Sequence, residues 1–272
     1  MTCTQALHRL AGQVFETDIK RTSWQATVAR HFQRAATTYA DVSALQQASA
    51  HDLLIDCRAQ GVVLELGAGQ GELASILAAR AEVSALIALD VSEAMLRAAP
   101  AMEKLQRVVA SALAIPLQDH SVDTVLSHFA VHWCLAPAAV AAEMHRVLRL
   151  DGVVQLAIPV AGSLAPLHGA AGDGALLLPA ATWQQAFAAT GESKAVWACE
   201  AATVKTYTRY FATAAEWLAY LRAMGVTAKP QAQAGLAGKQ AYRAIVERLM
   251  QAAEPSGIPF SFQVWHARFR AC

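Results

Sequence analysis

This chain of 272 residues has little charge, few aromatics and only five cysteines. Each scarcity excludes something. Cys3, Cys57, Cys134, Cys199 and Cys272 are odd in number, far apart and form no C-x-x-C pair. That pattern suits neither a disulfide framework nor a zinc site, and it reads as reduced thiols. Cys57 and Cys134 read as small buried hydrophobes. No apolar run reaches the ~18–20 residues that span a bilayer, so a membrane protein is not expected. The start, Met1-Thr2-Cys3-Thr4-Gln5, lacks a basic segment followed by an apolar one, so no signal peptide is expected and the reading is cytoplasmic. Charged residues make up 16% of the chain and the net charge is +1, which gives no general attraction for nucleic acid. A monomer is expected.

What the chain has in plenty is apolar residues, 55% of the total, enough for an ample globular core. They recur as short runs: Val62–Leu66, Ala85–Asp90, Gln106–Ala110, Val122–Ser127 and Gly152–Ile158. Helical patterns separate them at Glu72–Ala81, Glu93–Leu105 and Ala138–Arg149. Such alternation predicts βαβ units, a mostly parallel sheet and helices on both faces. Helices are predicted before residue 60, at Trp24–Tyr39 and Val42–Arg58. Beyond residue 158 the rhythm breaks. A helix is predicted over Ala180–Thr190 and strands over Ala195–Tyr207 and Phe260–Phe269. Helices over Ala212–Met224 and Gly238–Ala253 would form a cap over the strand ends. The expected division is residues 1–60 as a cover, 61–160 as a cofactor-binding core, and 161–272 as cap and last strands.

The most informative stretch is Val62-Val63-Leu64-Glu65-Leu66-Gly67-Ala68-Gly69-Gln70-Gly71. A buried strand that runs into glycines and then a helix brings bare backbone close to a ligand. The spacing is G-x-G-x-G. A dinucleotide fingerprint needs its third glycine one residue later, and a P-loop needs Lys-Ser or Lys-Thr. An acidic residue before this spacing resembles motif I of the class I S-adenosylmethionine-dependent methyltransferases. Glu65 suits a cofactor carrying a sulfonium and an ammonium group. Asp90, with Val91, ends the next strand about 20 residues on, where a carboxylate can accept from both ribose hydroxyls. It can equally organise a helix start with Ser92. Ser111-Ala112 follows the third strand, where the resemblance implies contact with the adenine. Its usual aspartate is replaced here by Ser111.

His128-Phe129-Ala130-Val131-His132-Trp133-Cys134 follows the fourth strand. Trp133 and His132 can supply polar hydrogens on an apolar surface, or they can simply pack in the core. Here resemblance adds to the residues. Four features occur in order: Phe32-x-Arg34-Ala35-Ala36-x-x-Tyr39 with Leu45-Gln46, motif I, the Ala130-Val131-x-Trp133-Cys134 segment, and Gly162-Ser163-Leu164-x-x-Leu167-His168. Leu221-Arg222-x-Met224-Gly225-Val226-Thr227 resembles a short segment of the cap. The set, spanning about residues 30 to 270, resembles the malonyl-(acyl-carrier protein) O-methyltransferases of biotin synthesis.

The resemblance implies a Rossmann-like seven-stranded sheet with a helical cap insertion, and S-adenosyl-L-methionine as cofactor. It implies methyl transfer to the free carboxylate of malonyl-acyl carrier protein or malonyl-coenzyme A. Tyr39, His132 and Trp133 would face the reacting group. Glu65, Gly67, Ala68, Gly69, Gly71, Asp90, Val91, Ser111, Ala112 and His128 would hold the cofactor. The family usually has Gln at 132 and Asn at 128, so an imidazole at 132 is expected to make activity depend on pH near neutrality. No catalytic base is expected, because a carboxylate is already ionised at pH 7. From Gly191 to Cys272 there are 10 Lys and Arg against 5 Asp and Glu. That basic surplus is expected to greet an acidic carrier protein through Lys205, Arg209, Arg222 or Lys229, with Gln46 near the substrate. Two alternatives stay open. One is a class I methyltransferase for another small acid or a quinone. The other is a non-methylating protein that binds S-adenosylmethionine and serves assembly or hydroxylation.

Overall fold

The structure is a computed structural model that describes residues 14–16, 23–35, 44–167, 177–188, 196–224 and 239–272. Its strands are β1 (Val14–Glu16), β2 (Gly61–Leu66), β3 (Val83–Asp90), β4 (Leu105–Val109), β5 (Val122–His128), β6 (Leu148–Pro159), β7 (Trp197–Phe211) and β8 (Ile258–Ala271). They form one sheet in the order β1-β4-β3-β2-β5-β6-β8-β7. Pairing is parallel from β1 to β6 and antiparallel for β8 and β7. Seven of these strands are the expected ones. The eighth, β1, is a three-residue strand added at the β4 edge from a segment whose sequence carried no strand signal.

The chain winds outward from β2 through β3 to β4, then returns to place β5 beside β2. That reversal makes a crevice at the carboxyl ends of β2 and β5, where doubly wound sheets take their ligands. The central strands are buried on both faces, so they read as nearly unbroken apolar runs. One face packs against α2 (Ala44–Ile55), α3 (Glu72–Ala78) and α4 (Glu93–Ala98), with Leu53, Leu77 and Leu96 meeting Val63, Leu86 and Leu126. The other packs against α5 (Pro137–Val147) and α6 (Ala180–Ala188), through Met144, Val147, Trp183 and Phe187. The first helix, α1 (Ser23–Ala35), contacts α4 and the short 3-10 helix Val131–Cys134.

Some boundaries differ from expectation for clear reasons. α4 stops at Ala98 instead of reaching Leu105, because Ala99 precedes Pro100 and is extended. β6 starts at Leu148, ahead of the expected Gly152, and a register shift against β5 absorbs the extra residues. β7 and β8 are longer than expected and form a hairpin. β8 pairs with β6 only from Val264 onward, so Ile258–Gln263 and the facing Thr206–Phe211 project past the end of β6. On this overhang sits α7 (Ala214–Ala223), begun by a Thr213–Glu216 capping box. Trp217 is fully buried there and donates its indole N–H to the Pro259 carbonyl at 3.0 Å. α8 (Lys239–Gln251) follows, and Arg248 reaches the Pro166 and Leu167 carbonyls.

Candidate functional site

Two cavities open at the crevice. The first, of about 110 Å³, lies beyond β3 and β5 and is lined by Asp90, Val91, Ser111, Ala112 and Trp133, with Val28 and Phe32 of α1 above. The second, of about 390 Å³, lies over the glycine turn and is lined by Glu65, Ala68, Gln70, Gly71 and Gln46. Gly67, His128 and Phe129 line both, so the two are neighbouring compartments of one cleft.

The glycine turn is built for close approach. Gly67 has φ +74°, and a Cβ there would lie 2.0 Å from the Ala130 Cβ. Gly69 has φ +52°, and a Cβ there would meet nothing within 4 Å. Packing therefore demands the first glycine and crowds the third, Gly71, where a Cβ would lie 3.0 Å from that of Ala99; Gly69 lines neither cavity, and its left-handed backbone is what favours glycine there. Asp90 closes the turn from β3. It accepts the Gly69 N–H at 3.0 Å on one oxygen and the Ser92 N–H at 2.8 Å on the other. Ser92 in turn caps α4. Asp90 thus organises the helix start, the second of the two roles the sequence allowed, and it also lines the first cavity. Ser111 also lines that cavity, and its hydroxyl accepts the Leu113 N–H at 3.1 Å, which fixes the turn after β4.

Glu65 is 3% exposed, and its Oε2 has no hydrogen-bond partner. Burial raises its carboxyl to about 8, with the nearby Asp90 charge adding to the effect. A buried carboxylate oxygen left bare beside a cavity is costly unless a cation meets it. A ligand ammonium there would supply that cation.

The histidines behave differently from expectation. His132 is 6% exposed, lines neither cavity and lies beside Trp133, the ring centres 4.9 Å apart and the planes tilted by 39°. Burial drives its imidazole down to about 3. It is neutral near pH 7, so the expected pH dependence from His132 is corrected, as is its place facing the reacting group. Trp133 does line the first cavity, held by Phe32 edge-on at 5.7 Å and by Trp24, whose indole N–H donates to the Trp133 carbonyl at 2.8 Å. His128 is also driven down to about 3, by burial and then by the neighbouring His266. Strand register explains that neighbour: His128 pairs with Ala157, and Ala157 with His266, so two imidazoles flank one methyl group. Beyond His266 a polar chain reaches the surface. His266 Nε2 lies 2.9 Å from the Tyr207 hydroxyl, which donates to Asp52 at 2.7 Å, and Lys205 pairs with Asp52 at 2.9 Å.

The expected docking residues separate. Lys205 is engaged by Asp52. Arg268 and Arg270 are both held by Glu200. Arg222 is exposed on α7. Arg209 lies on the overhang over two aromatic rings. Tyr39 and Lys229 lie outside the described residues. Phe129 was missed as a lining residue. It sits at φ +49°, which few side chains adopt, and packs edge-on against Phe262 of the overhang at 5.1 Å. Its place after a strand-end histidine was the available signal. Cys134 lines the first cavity, and burial lifts its thiol to about 12.

Residues 64–156, from within β2 to within β6, match the family described as the methyltransferase domain. That match spans 93 of the 272 residues. The cofactor this similarity points to is S-adenosyl-L-methionine, and the bare Glu65 oxygen, the Gly67-Ala68 and Gln70-Gly71 backbone of the second cavity and the Asp90 carboxylate fit that molecule's ammonium, its close-lying chain and its ribose. Over 153 residues the chain is 34% identical to a malonyl-(acyl-carrier protein) O-methyltransferase of Marinomonas sp. (strain MWYL1), covering 54% of this chain and 57% of that protein. It is 29% identical over 259 residues to the biotin biosynthesis bifunctional protein BioHC of Cellvibrio japonicus (strain Ueda107), covering 88% of this chain and 49% of that protein. The chain therefore spans about half the length of the curated relatives it matches. Among solved structures, a putative methyltransferase of Bacillus halodurans C-125 superposes with a TM-score of 0.60 at 16% identity, covering 82% of this chain and 98% of that one. The described residues have the Rossmann-like methyltransferase fold. No helix among the described residues is long and apolar enough to cross a membrane.

Proposed function

We propose that this chain transfers a methyl group from S-adenosylmethionine to the free carboxylate of a malonyl thioester, on acyl carrier protein or coenzyme A, and so supplies the methyl ester used in biotin synthesis. The observation that carries this reading is the poor basicity of the first cavity, where Trp133 stands and which Glu65 does not line. Among the described residues lining it, the His128 imidazole is driven down to about 3 and the Cys134 thiol up to about 12. A neutral imidazole with so low a pKa is a weak base, and a thiol with so high a pKa is scarcely ionised. Asp90 has both oxygens turned to backbone N–H groups. A phenol or amine acceptor would need its proton removed, whereas a carboxylate arrives ionised. The relatives named for malonyl-(acyl-carrier protein) methylation and biotin biosynthesis support the same acceptor.

The bound cofactor supplies an electrophilic methyl group on a positively charged sulfur. The chain's part is alignment and exclusion of water. In this reading Glu65 neutralises the cofactor's ammonium, Asp90 and Val91 face its ribose, and Ser111 and Ala112 edge its adenine. Val28, Phe32, Phe129 and Trp133 wall the reacting end with apolar surface. An arginine clamp on the acceptor carboxylate would stabilise the reactant more than the transition state, where the anion's charge fades. Neutral groups such as Trp133 and Tyr39 serve better. Residues 61–160 carry the cofactor, 1–60 cover it, and 161–272 choose the acceptor. The test uses purified protein, methyl-labelled S-adenosylmethionine and malonyl-acyl carrier protein, with malonyl-coenzyme A and other small acids as competitors. Label is expected in a base-labile ester of the malonyl thioester. Cofactor binding without such an ester would refute the acceptor.

A further inference from the structure

α2 covers the second cavity and is anchored at its far end. The carbonyls of a helix's last turn find no donor within the helix. Here side chains from elsewhere supply them. Gln155 of β6 donates to the Leu53 carbonyl at 2.8 Å, Arg80 to those of Leu54 and Cys57 at 3.1 and 2.9 Å, and Arg268 of β8 to that of Asp56 at 3.1 Å. The other end of α2 brings Gln46, Gln47 and Ala50 to the wall of the second cavity. A helix pinned at one end still needs its rotation set. Apolar packing alone sets it weakly, because the face buried by α2 includes Gln46 and Ser49 beside Leu45, Ala50 and Leu53.

Between the two ends lies a polar cluster with one hydroxyl at its centre. Asp52 accepts from the Tyr207 hydroxyl at 2.7 Å and from Lys205 at 2.9 Å. Lys205 first, and then Tyr207, hold Asp52 below the usual carboxylate range, so near pH 7 it is ionised and can only accept. The Tyr207 hydroxyl therefore gives its single proton to Asp52. His266 Nε2 lies 2.9 Å from the same oxygen, and the network assigns it the proton with which it donates. The Ser49 hydroxyl also reaches the Tyr207 oxygen, from α2, and lies 3.4 Å from His266 Nε2. One phenol thus donates once and accepts twice, which fills its capacity. A fully satisfied network of this kind favours one arrangement over its neighbours. It ties Ser49 and Asp52, about one turn apart on α2, to β7 and β8.

We propose that Tyr207 is a positioning residue: through Asp52 and Ser49 it fixes the rotation of α2, and so sets Gln46 and Gln47 against the cofactor in the second cavity. Tyr207 lines neither cavity, so its effect on the cofactor passes through the helix. The inference rests on S-adenosylmethionine occupying the second cavity and is independent of the malonyl acceptor.

The test is calorimetric titration of the intact protein with S-adenosylmethionine. Tyr207→Phe and Asp52→Ala are each expected to weaken binding about fivefold, the effect of one hydrogen bond. Asp52→Asn keeps an acceptor for the phenol and should stay within about twofold of wild type. Thr208→Val, which breaks the Thr208–Ser261 contact within the hairpin, should leave affinity unchanged. In a Gln46→Ala background, Tyr207→Phe should cost much less than in wild type, because both act at one end of one helix. Undiminished binding in Tyr207→Phe overturns the proposal. So does full additivity with Gln46→Ala, or an Asp52→Asn loss equal to that of Asp52→Ala, and these comparisons decide even if Tyr207→Phe melts early. Absence of binding to the wild type would refute the cofactor and the proposal together, whereas binding indifferent to Tyr207 refutes the proposal alone.

Discussion

Glu65 gives the sharpest expectation, because one buried carboxyl links cofactor affinity, proton release and stability. In the ligand-free protein its carboxyl is raised to about 8 by burial and by Asp90. A cationic ligand group at Oε2 favours the ionised form and pulls the pKa back down. Binding at pH 7 therefore releases close to one proton. Affinity rises with pH up to about 8 and then levels, by up to about tenfold per pH unit. A return to the ordinary range of about 4.5 sets an upper bound of about 5 kcal/mol on the coupling. Stability runs the other way. The folded pKa lies above the unfolded one, so the folded state binds more protons, and stability contributed below about pH 4.5 is lost as pH rises through about 8. Glu65→Gln should thus raise the melting temperature of the ligand-free protein at pH 8 while weakening S-adenosylmethionine. Calorimetry in two buffers of different ionisation enthalpy counts the protons. Equal affinity at pH 6 and pH 8 with no proton released would refute the reasoning.

Four further outcomes can be measured. Gly67→Ala meets the Ala130 methyl at 2.0 Å and is expected to cost at least ~2 kcal/mol by urea denaturation. Gly69→Ala has open space but a left-handed backbone, so it should cost only ~1 kcal/mol in the same assay, and a loss as large as that of Gly67→Ala would contradict the open space. With His128 and His132 both driven down to about 3, kcat/KM for malonyl thioester should be flat in their respect from pH 6 to 8. A titration near 6.5 that vanishes in His132→Gln would contradict this. Arg222→Glu, exposed on α7, should raise KM for malonyl-acyl carrier protein and leave a small malonyl thioester unaffected. Equal losses for both substrates would remove α7 from the carrier surface.

The parts of this protein that declared themselves in sequence are those governed by local rules. Val62–Leu66 runs apolar because both faces of β2 are covered, and the glycines follow where the backbone must turn under a ligand. Asp90 was legible because a strand ends there. Legibility failed where distant pairing decides. Nothing near His132 in the chain says that Trp133 would take the cavity and leave the imidazole outside it. Arg209 gains its two rings only through the register that sets it opposite Phe260 and through the fold-back of α7. The basic surplus of the last 82 residues counted charges correctly, but Glu200 and Asp52 neutralise several of them across the sheet. β1 was invisible because three residues at an open edge need no apolar alternation of their own.

The hairpin overhang has one more implication. Phe211 and Ile258 are paired, so the chain leaves the sheet for the α7–α8 insertion and rejoins it across a single rung of the ladder. An insertion whose two feet touch can be shortened, lengthened or replaced with little penalty in closing the loop, since that penalty grows only slowly with length. The ladder below would keep its register, and the glycine turn would keep its shape. Under the proposed function, acceptor preference can therefore drift over generations, one graft at a time, while the platform below stays unaltered.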